Sequence, residues 1–464
     1  MLNKEQIYKL LKDKNEANKL GERKYGEVFT PLNVVENTLN LLPADIWLDS
    51  SQTWFEPAVG IGNFIVPVYF RLMDSLSVVI PNSNKRHHHI INKMLYMSEI
   101  NAKNANICRR IFGKNANIYI GDTMQLDTYK QWGLIEFGVV FGNPPYQEIN
   151  GNRGSTKPMY NQFMERFIDS CKVMLFITPS RWFGAGKGLS TFRKSMLSRM
   201  DIRLINHCEN STIIFPRYPK IMGGISIIYK DSSYYGYCSF NSYICNINKY
   251  DIIVEPKYQS IVDKVLMKMD YSIGDICMGQ NYSGIRSNDN RLSNVYSVGS
   301  RICYVSERNN DNYIFKYVKH EDLLIKDYSK WKVMTVEANG YWNYFGRSFI
   351  AGPEDVCNQS FIVFEVDTFK ESVSLLSYLN TKIINFMMGI RKFSQHISPE
   401  TCKWIPLLPF DRVFTDSYLY DFFNLDYHEI AIIEELYSKI LIKKMIKDLD
   451  FLGRIVNQYL KNYE

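Results

Sequence analysis

The apolar run Phe137–Phe141 ends in Gly142-Asn143-Pro144-Pro145-Tyr146, and this stop constrains the fold more tightly than any other feature of the chain. Two consecutive prolines cannot extend a strand ladder, because neither has an N–H to donate and both fix φ. A buried strand closed in this way holds an Asn side chain and a Pro carbonyl rigidly beyond its C-terminal edge. In open α/β sheets that edge is where ligands bind. Two fixed acceptors followed by an aromatic ring make a receptor for a planar group that carries an amino function. The tetrapeptide also has a plainer reading, a buried strand closed by a proline turn. The segments on either side decide between the two.

Those segments alternate between strands and helices. Trp54–Phe55 leads into Glu56-Pro57-Ala58-Val59-Gly60-Ile61-Gly62-Asn63-Phe64, and an apolar helix follows to Met73. Leu95–Ser98 reads as a strand ending at Glu99, with a helix over Ala102–Ile111. Asn117–Ile120 is a third strand, ending in Gly121-Asp122. Phe137–Phe141, Val173–Ile177, Ile202–Asn206 and Gly223–Lys230 complete a set of seven. Strands separated by helical stretches argue for a mostly parallel, doubly wound sheet. After Lys230 the pattern turns irregular, with Tyr, Ser, Cys and Asn abundant over Asp231–Asn248 and an exposed-looking loop at Asn281–Asn294. Helical periodicity returns from Asp421, with apolar positions at Ile430, Ile433, Leu436, Ile440 and Met445. The expected division is therefore 1–230, 231–420 and 421–464.

With 464 residues the chain is too long for one ordinary core. Its net charge of +7 permits a polyanionic partner without demanding one. The nine cysteines form no Cys-x-x-Cys pair, so neither a zinc site nor a disulfide framework is expected; Cys238 and Cys245 are assigned to the core. His87–His89 have the wrong spacing for a metal clamp and read as a solvated loop. Met1–Lys19 is polar and helical rather than a signal peptide, and no apolar run reaches transmembrane length. The expectation is a soluble protein of the bacterial cytosol or of a viral replication compartment.

Gly60 and Gly62 stand where a strand turns into a helix, so backbone can approach a ligand closely. Glu99 ends the next strand, where a carboxylate can bind a ribose diol. Asp122 ends the third, placed to accept from an adenine amino group. The chain lacks the third Gly of the dinucleotide fingerprint, a Gly-Lys-Ser/Thr loop and a candidate magnesium cluster. An adenosine ligand without a pyrophosphate fits this set, and S-adenosyl-L-methionine fits better than NAD or ATP, with no metal. Each acid taken singly is also what a solvated strand end looks like; the ordered series favours the ligand.

On these residues the chain resembles the γ class of S-adenosylmethionine-dependent DNA N6-adenine methyltransferases. Glu56–Phe64 is similar to the family's cofactor loop, Asn143–Tyr146 to its catalytic tetrapeptide, and Gly26-Glu27-Val28-Phe29-Thr30-Pro31 to the box that closes over the methionine end. Phe176–Phe183 and Ile214-Phe215-Pro216 match later blocks. The likeness is strong from Gly26 to about Lys230, weakens through the middle, and partly returns at Arg391–Phe414. It implies a Rossmann-like seven-stranded methyltransferase sheet, a second, mixed α+β target-recognition domain, and C-terminal helices. It further implies double-stranded DNA as partner, with a separate cognate restriction endonuclease left open. The implied cofactor residues are Phe29, Thr30, Pro31, Glu56, Ala58, Gly60, Gly62, Glu99 and Asp122; the implied catalytic ones are Asn143, Pro144, Pro145 and Tyr146.

The N6 amine of adenine is a poor nucleophile because its lone pair is delocalised into the ring. It needs acceptors for its two hydrogens rather than a tuned base. Asn143 Oδ1 and the Pro144 carbonyl supply them. The base must leave the duplex to reach them. Tyr146 would stack on one face, with Phe215 the candidate for the other and equally a core residue. The loop Gln147–Lys157, carrying Arg153 and Lys157, is expected to admit the strand. Arg286, Arg291, Arg347 and the segment Arg391, Lys392, Gln395 and His396 are candidates for DNA contact, each also readable as surface charge. Three alternatives stay open: methylation of RNA or a protein glutamine, methylation of cytosine N4, and a non-catalytic DNA-binding relative.

Overall fold

The structure, a computed structural model, describes residues 3–17, 28–147, 157–184, 188–280, 282–306, 313–324, 328–338 and 344–437. The chain divides into two units, one of Met1–Trp182 with Lys187–Ile253, the other of Phe183–Gly186 with Val254–Glu464.

The first unit is built on a nine-stranded sheet. Its strands are β1 (Trp54–Glu56), β2 (Leu95–Glu99), β3 (Asn117–Ile120), β4 (Phe137–Gly142), β5 (Cys171–Pro179), β6 (Ile202–Cys208), β7 (Ile225–Asp231), β8 (Cys238–Phe240) and β9 (Tyr243–Cys245), in the order β3-β2-β1-β4-β5-β7-β6-β8-β9. β1 to β5 run parallel, and β7 enters antiparallel between β5 and β6. The seven expected strands are all present. Two more, β8 and β9, extend the edge beyond β6, so the count of seven is corrected to nine. They form because Cys238 and Cys245 sit opposite one another, both buried, and draw the polar stretch after Lys230 back onto the sheet. The first unit consequently runs past the expected boundary at Lys230, to Ile253.

Central strands buried on both faces read as continuous apolar runs. All six residues of β4 are buried, as are eight of the nine in β5. The helix Ile65–Ser75 starts directly behind the glycine loop and tolerates Pro67 in its first turn, where the missing N–H has no intrahelical partner. The helix Ala102–Phe112 is capped by Asn101, whose side chain accepts from the Lys103 N–H, and it ends at Gly113 with φ 96°. His87–His89 form the last turn of the helix Ser83–His89, not a loop. His87 Nδ1 lies 2.8 Å from Tyr69 Oη and His89 Nε2 lies 2.7 Å from the Ser50 carbonyl.

β1 has β2 on one side and β4 on the other, so the strand order reverses direction there. This is the switch point at which such sheets open a crevice. The register Phe55↔Val140 sets Glu56 beside the end of β4.

The second unit carries a four-stranded antiparallel sheet, β10 (Cys277–Met278), β16 (Phe361–Val366), β13 (Trp331–Val336) and β14 (Ser348–Ala351). A three-stranded sheet joins β12 (Tyr313–Lys319), β11 (Ser300–Ser306) and β15 (Val356–Cys357). The helix Phe369–Leu379, opened by a Thr368–Glu371 capping box, and the largely buried Lys382–Arg391 accompany them. The helices Asp416–Phe422 and Tyr427–Glu435 belong to this unit; Ile440 and Met445 lie outside the described residues. Among the described residues no helix is long and apolar enough to cross a membrane.

Trp54 anchors the first unit's core, fully buried, its ring stacked on Trp47 at 4.6 Å and edge-on to Phe141 at 5.9 Å. Trp54→Ala should cost about 3–5 kcal/mol of stability. A denaturant midpoint within error of the wild type would contradict this packing.

Candidate active site

A cleft of about 400 Å³ opens at the carboxyl ends of β1 to β4, within the first unit. Of the residues singled out in the sequence, Phe29, Ala58, Gly60, Glu99, Asp122 and the whole Asn143–Tyr146 tetrapeptide line it. Thr30, Pro31, Glu56, Gly62 and Phe215 do not. The cleft also takes in Ile100, Thr123, Gln147, Met159 and Phe163, which carried no motif.

Each wall residue is set by backbone. Glu99 Oε2 accepts from the Gly60 N–H and Oε1 from the Asn101 N–H, both at 2.7 Å, so this acid ties β2 to the glycine loop. Gly60 has φ 55°, and a Cβ there would come within 3.3 Å of the Phe29 ring. The glycine therefore allows the loop to turn and Phe29 to lie against it. Asp122 Oδ1 caps the turn after β3 by accepting from the Met124 N–H at 2.9 Å. Thr123 Oγ1 donates to the Pro57 carbonyl at 2.7 Å, joining that turn to the loop after β1.

At the end of β4, Gly142 has φ 134°, and a Cβ would meet Glu56 Cγ at 3.3 Å. Only glycine lets the chain leave the strand so close to Glu56. Asn143 follows. Its Nδ2 donates to the Val28 carbonyl at 3.2 Å and to Thr30 Oγ1 at 3.1 Å. Its Oδ1 is buried and has no hydrogen-bond partner, as is the hydroxyl of Tyr146. The Met159 N–H donates to the Tyr146 carbonyl at 3.1 Å, and Gln147 bridges to Pro158. These pairings fix the two ends of the loop; Arg153 lies outside the described residues and Lys157 is exposed.

Burial dominates the electrostatics. It pushes the Glu56 carboxyl well above its usual range; the Ile65 N–H opposes this and the Glu99 carboxylate adds to it. One Glu56 oxygen, Oε2, is buried without a partner. Burial likewise pushes the Tyr146 phenol up.

Phe215 requires correction as a base-stacking candidate. It is 1% exposed within the core and meets Tyr218 edge-on at 6.1 Å. With Phe29, Pro31 and Tyr218 it borders a second cavity of about 620 Å³. Pro31 starts the helix Leu32–Leu39, its carbonyl accepting from the N–H groups of Val34 and Val35. Tyr218, whose hydroxyl accepts from the Phe29 N–H at 3.2 Å, was missed because nothing local to Arg217–Pro219 signals a partner 189 residues away.

Two of the four arginines expected to contact DNA, Arg291 and Arg391, are otherwise engaged. Arg391 is fully buried: it pairs with Glu400 through Nη2 at 2.5 Å, donates from Nε to the Glu400 carbonyl, and lies over the Trp404 ring at 4.5 Å. Arg291 folds back on its own loop, donating to Asp289 and to the carbonyls of Gly284 and Asp322. Arg286 remains exposed. Lys392 is buried and pushed down to about 8 by desolvation, Glu337 opposing, while His396 Nδ1 sits 2.6 Å from Glu337. Gln395 is exposed and Arg347 half-buried.

Residues 74–215 match the model of the family described as Eco57I restriction-modification methylase. A Mycoplasma pneumoniae protein described as an uncharacterized adenine-specific methylase is 24% identical over 298 residues, covering 47% of this chain and 69% of that one. Three solved proteins share the fold. The type IIL enzyme MmeI in complex with DNA matches over 97% of this chain and 75% of its own (TM-score 0.51, 11% identity). The DrdV–DNA complex matches over 88% and 59% (0.53, 11%), and the type ISP enzyme LlaGI with a DNA substrate mimic over 88% and 47% (0.53, 12%). The chain spans 52–60% of the length of the first three solved methyltransferase chains it resembles. The fold is one that the chain shares with the restriction–modification enzymes MmeI and LlaGI.

Two predictions follow from the buried charges. A carboxyl whose proton is held more tightly in the folded state stabilises most at low pH; it loses that contribution as pH climbs from about 4.5 through its folded value. Glu56→Gln keeps the shape without the titration, so its melting temperature relative to wild type should rise between about pH 5 and about pH 8. A difference that stays flat across that range would refute the raised carboxyl. Arg391→Ala should lower stability by about 2–3 kcal/mol through lost packing and pairing. If it instead weakened DNA binding with stability intact, the buried placement would be wrong.

Proposed function

We propose that this chain transfers a methyl group from S-adenosyl-L-methionine to the N6 amino group of an adenine flipped out of duplex DNA. It is an adenine-specific methyltransferase of the restriction–modification kind. The observation that carries the reading is the buried, unpartnered Asn143 Oδ1 in a cleft at the switch point of the sheet. An acceptor in that position costs stability unless something donates to it.

The cleft residues suit this cofactor. Glu99, at the end of β2, puts a carboxylate in the cleft wall where a ribose diol would lie. Asp122 lines the wall where an adenine amine would end, and Gly60, without a side chain, lets the loop turn against Phe29 at the cleft. Bound S-adenosylmethionine supplies a methyl group on a positively charged sulfur, which departs as a neutral thioether with the S–CH₃ bonding pair.

Asn143 Oδ1 and the Pro144 carbonyl accept the two amino hydrogens of the adenine. Holding both favours the pyramidal nitrogen, whose lone pair then forms the new N–CH₃ bond. Positive charge develops on that nitrogen between two fixed acceptors, a preorganised site that needs no reorientation during reaction. The surplus proton passes to water. The proline pair keeps both acceptors within the small tolerance that transfer requires, and Tyr146 offers a ring for stacking on the extrahelical base. The second unit would read the duplex, with Arg286 its exposed guanidinium. Duplex DNA as partner is supported by MmeI and DrdV, which share the fold and were solved in complex with DNA.

Tritiated methyl transfer to duplex DNA, RNA and protein, followed by nucleoside digestion, tests the substrate and the atom. N6-methyladenine in duplex DNA is expected; label in N4-methylcytosine, RNA or protein would reject the reading. Asn143→Ala should bind cofactor within about threefold of wild type and transfer at least about 10³-fold more slowly. Undiminished turnover by that variant would remove Asn143 from the chemistry.

A further inference from the structure

A primary amide has two hydrogens and one acceptor oxygen, and the surroundings of Asn143 decide which end faces the cleft. A main-chain carbonyl can only accept, so the nitrogen end must face Val28; the flipped rotamer would press two oxygens together. One such anchor still leaves the amide plane free to swing, because this torsion is broad and roughly two-fold. The second anchor, Thr30 Oγ1, fixes the plane. Both hydrogens are then committed, and Oδ1 is the atom left over.

Thr30 is itself held. It is 3% exposed, does not line the cleft, and its carbonyl accepts from Asn63 Nδ2 at 2.9 Å. Asn63 Nδ2 also reaches Asn15 Oδ1 at 3.1 Å, on the helix Lys4–Ala17. A hydroxyl buried behind Asn143 is badly placed to hold the cofactor. It is well placed to hold the group that meets the substrate.

We propose that Thr30 is a positioning residue for methyl transfer: its hydroxyl completes the amide clamp that keeps Asn143 Oδ1 facing the amine. The proposal rests on the reading of Asn143 as acceptor for the substrate amino group. It reassigns Thr30 from cofactor contact to support of the transfer step. Removing the hydroxyl should therefore slow transfer and spare cofactor affinity, whereas losing a cofactor ligand would weaken binding first.

The test uses the 464-residue chain as wild type, Thr30→Val and Thr30→Ser. Cofactor affinity is measured by titration calorimetry and transfer by single-turnover methylation of duplex DNA. Thr30→Val should transfer about 30- to 100-fold more slowly with a cofactor Kd within about threefold. Thr30→Ser, which restores the oxygen, should return to within about threefold of wild type. A crystal structure of Thr30→Val should show the Asn143 amide plane rotated from its two anchors. Should Thr30→Val fail to fold, Thr30→Ala replaces it with the same expectations. Cofactor affinity falling in step with rate, a hydroxyl-free variant as fast as wild type, or a serine variant as slow as the valine one would each overturn the proposal. Failure of the underlying reading looks different, since Asn143→Ala would then transfer at the wild-type rate whatever Thr30 does.

Discussion

The orientation of one carboxamide governs how this site can work. Asn143 keeps its oxygen clear of any donor because a carbonyl and a hydroxyl take both amide hydrogens. Those partners come from a segment more than a hundred residues earlier, so the acceptor exists as a consequence of the fold and not of the tetrapeptide alone. The prolines on its other side remove the remaining freedom. Support from behind and stiffness ahead produce a fixed, unsatisfied acceptor, a costly arrangement that persists where a ligand completes it.

The sheet makes this arrangement possible. Because β1 lies between β2 and β4, the ends of those strands converge on one crevice. Glu56, Glu99, Asp122 and Asn143 each follow or end a different strand, and backbone N–H groups rather than side chains hold the acids in place. Glycine is required at two points of the cleft for both its positive φ and close contact: Gly60 beneath Phe29, and Gly142 against Glu56. Close approach at both positions brings the cofactor loop, the end of β4 and the Val28–Pro31 segment into one small volume. Thr123 extends the same network to β3.

Strands β1 to β7 were legible because their apolar runs are short and bounded by Gly, Pro, Asn or Asp, and β1, β2, β4 and β5 are buried almost throughout. β8 and β9 were not, since three-residue strands in a polar, Tyr-rich stretch show no period and form only where β8 meets β6 and β9 folds back on β8. The cleft's chemistry was readable from residues at strand ends. Its walls at Met159 and Phe163 were not, because a helix face becomes a wall only when packed. The arginines show the limit best. Arg286, Arg291 and Arg391 are indistinguishable as letters, yet one is exposed, one braces a loop and one lies buried on Trp404.

The sequence by itself determined that a buried strand stops at two prolines with an Asn and a carbonyl beyond its edge, since proline's missing N–H and fixed φ allow nothing else. It also determined the order of glycines and acids along successive strand ends, because period and punctuation are local properties. Tertiary structure alone decided which way the Asn143 amide points, which acid is driven toward its neutral form, and which cations remain free. Hydrogen-bond partners, desolvation and burial depend on residues distant in the chain. No local pattern encodes them.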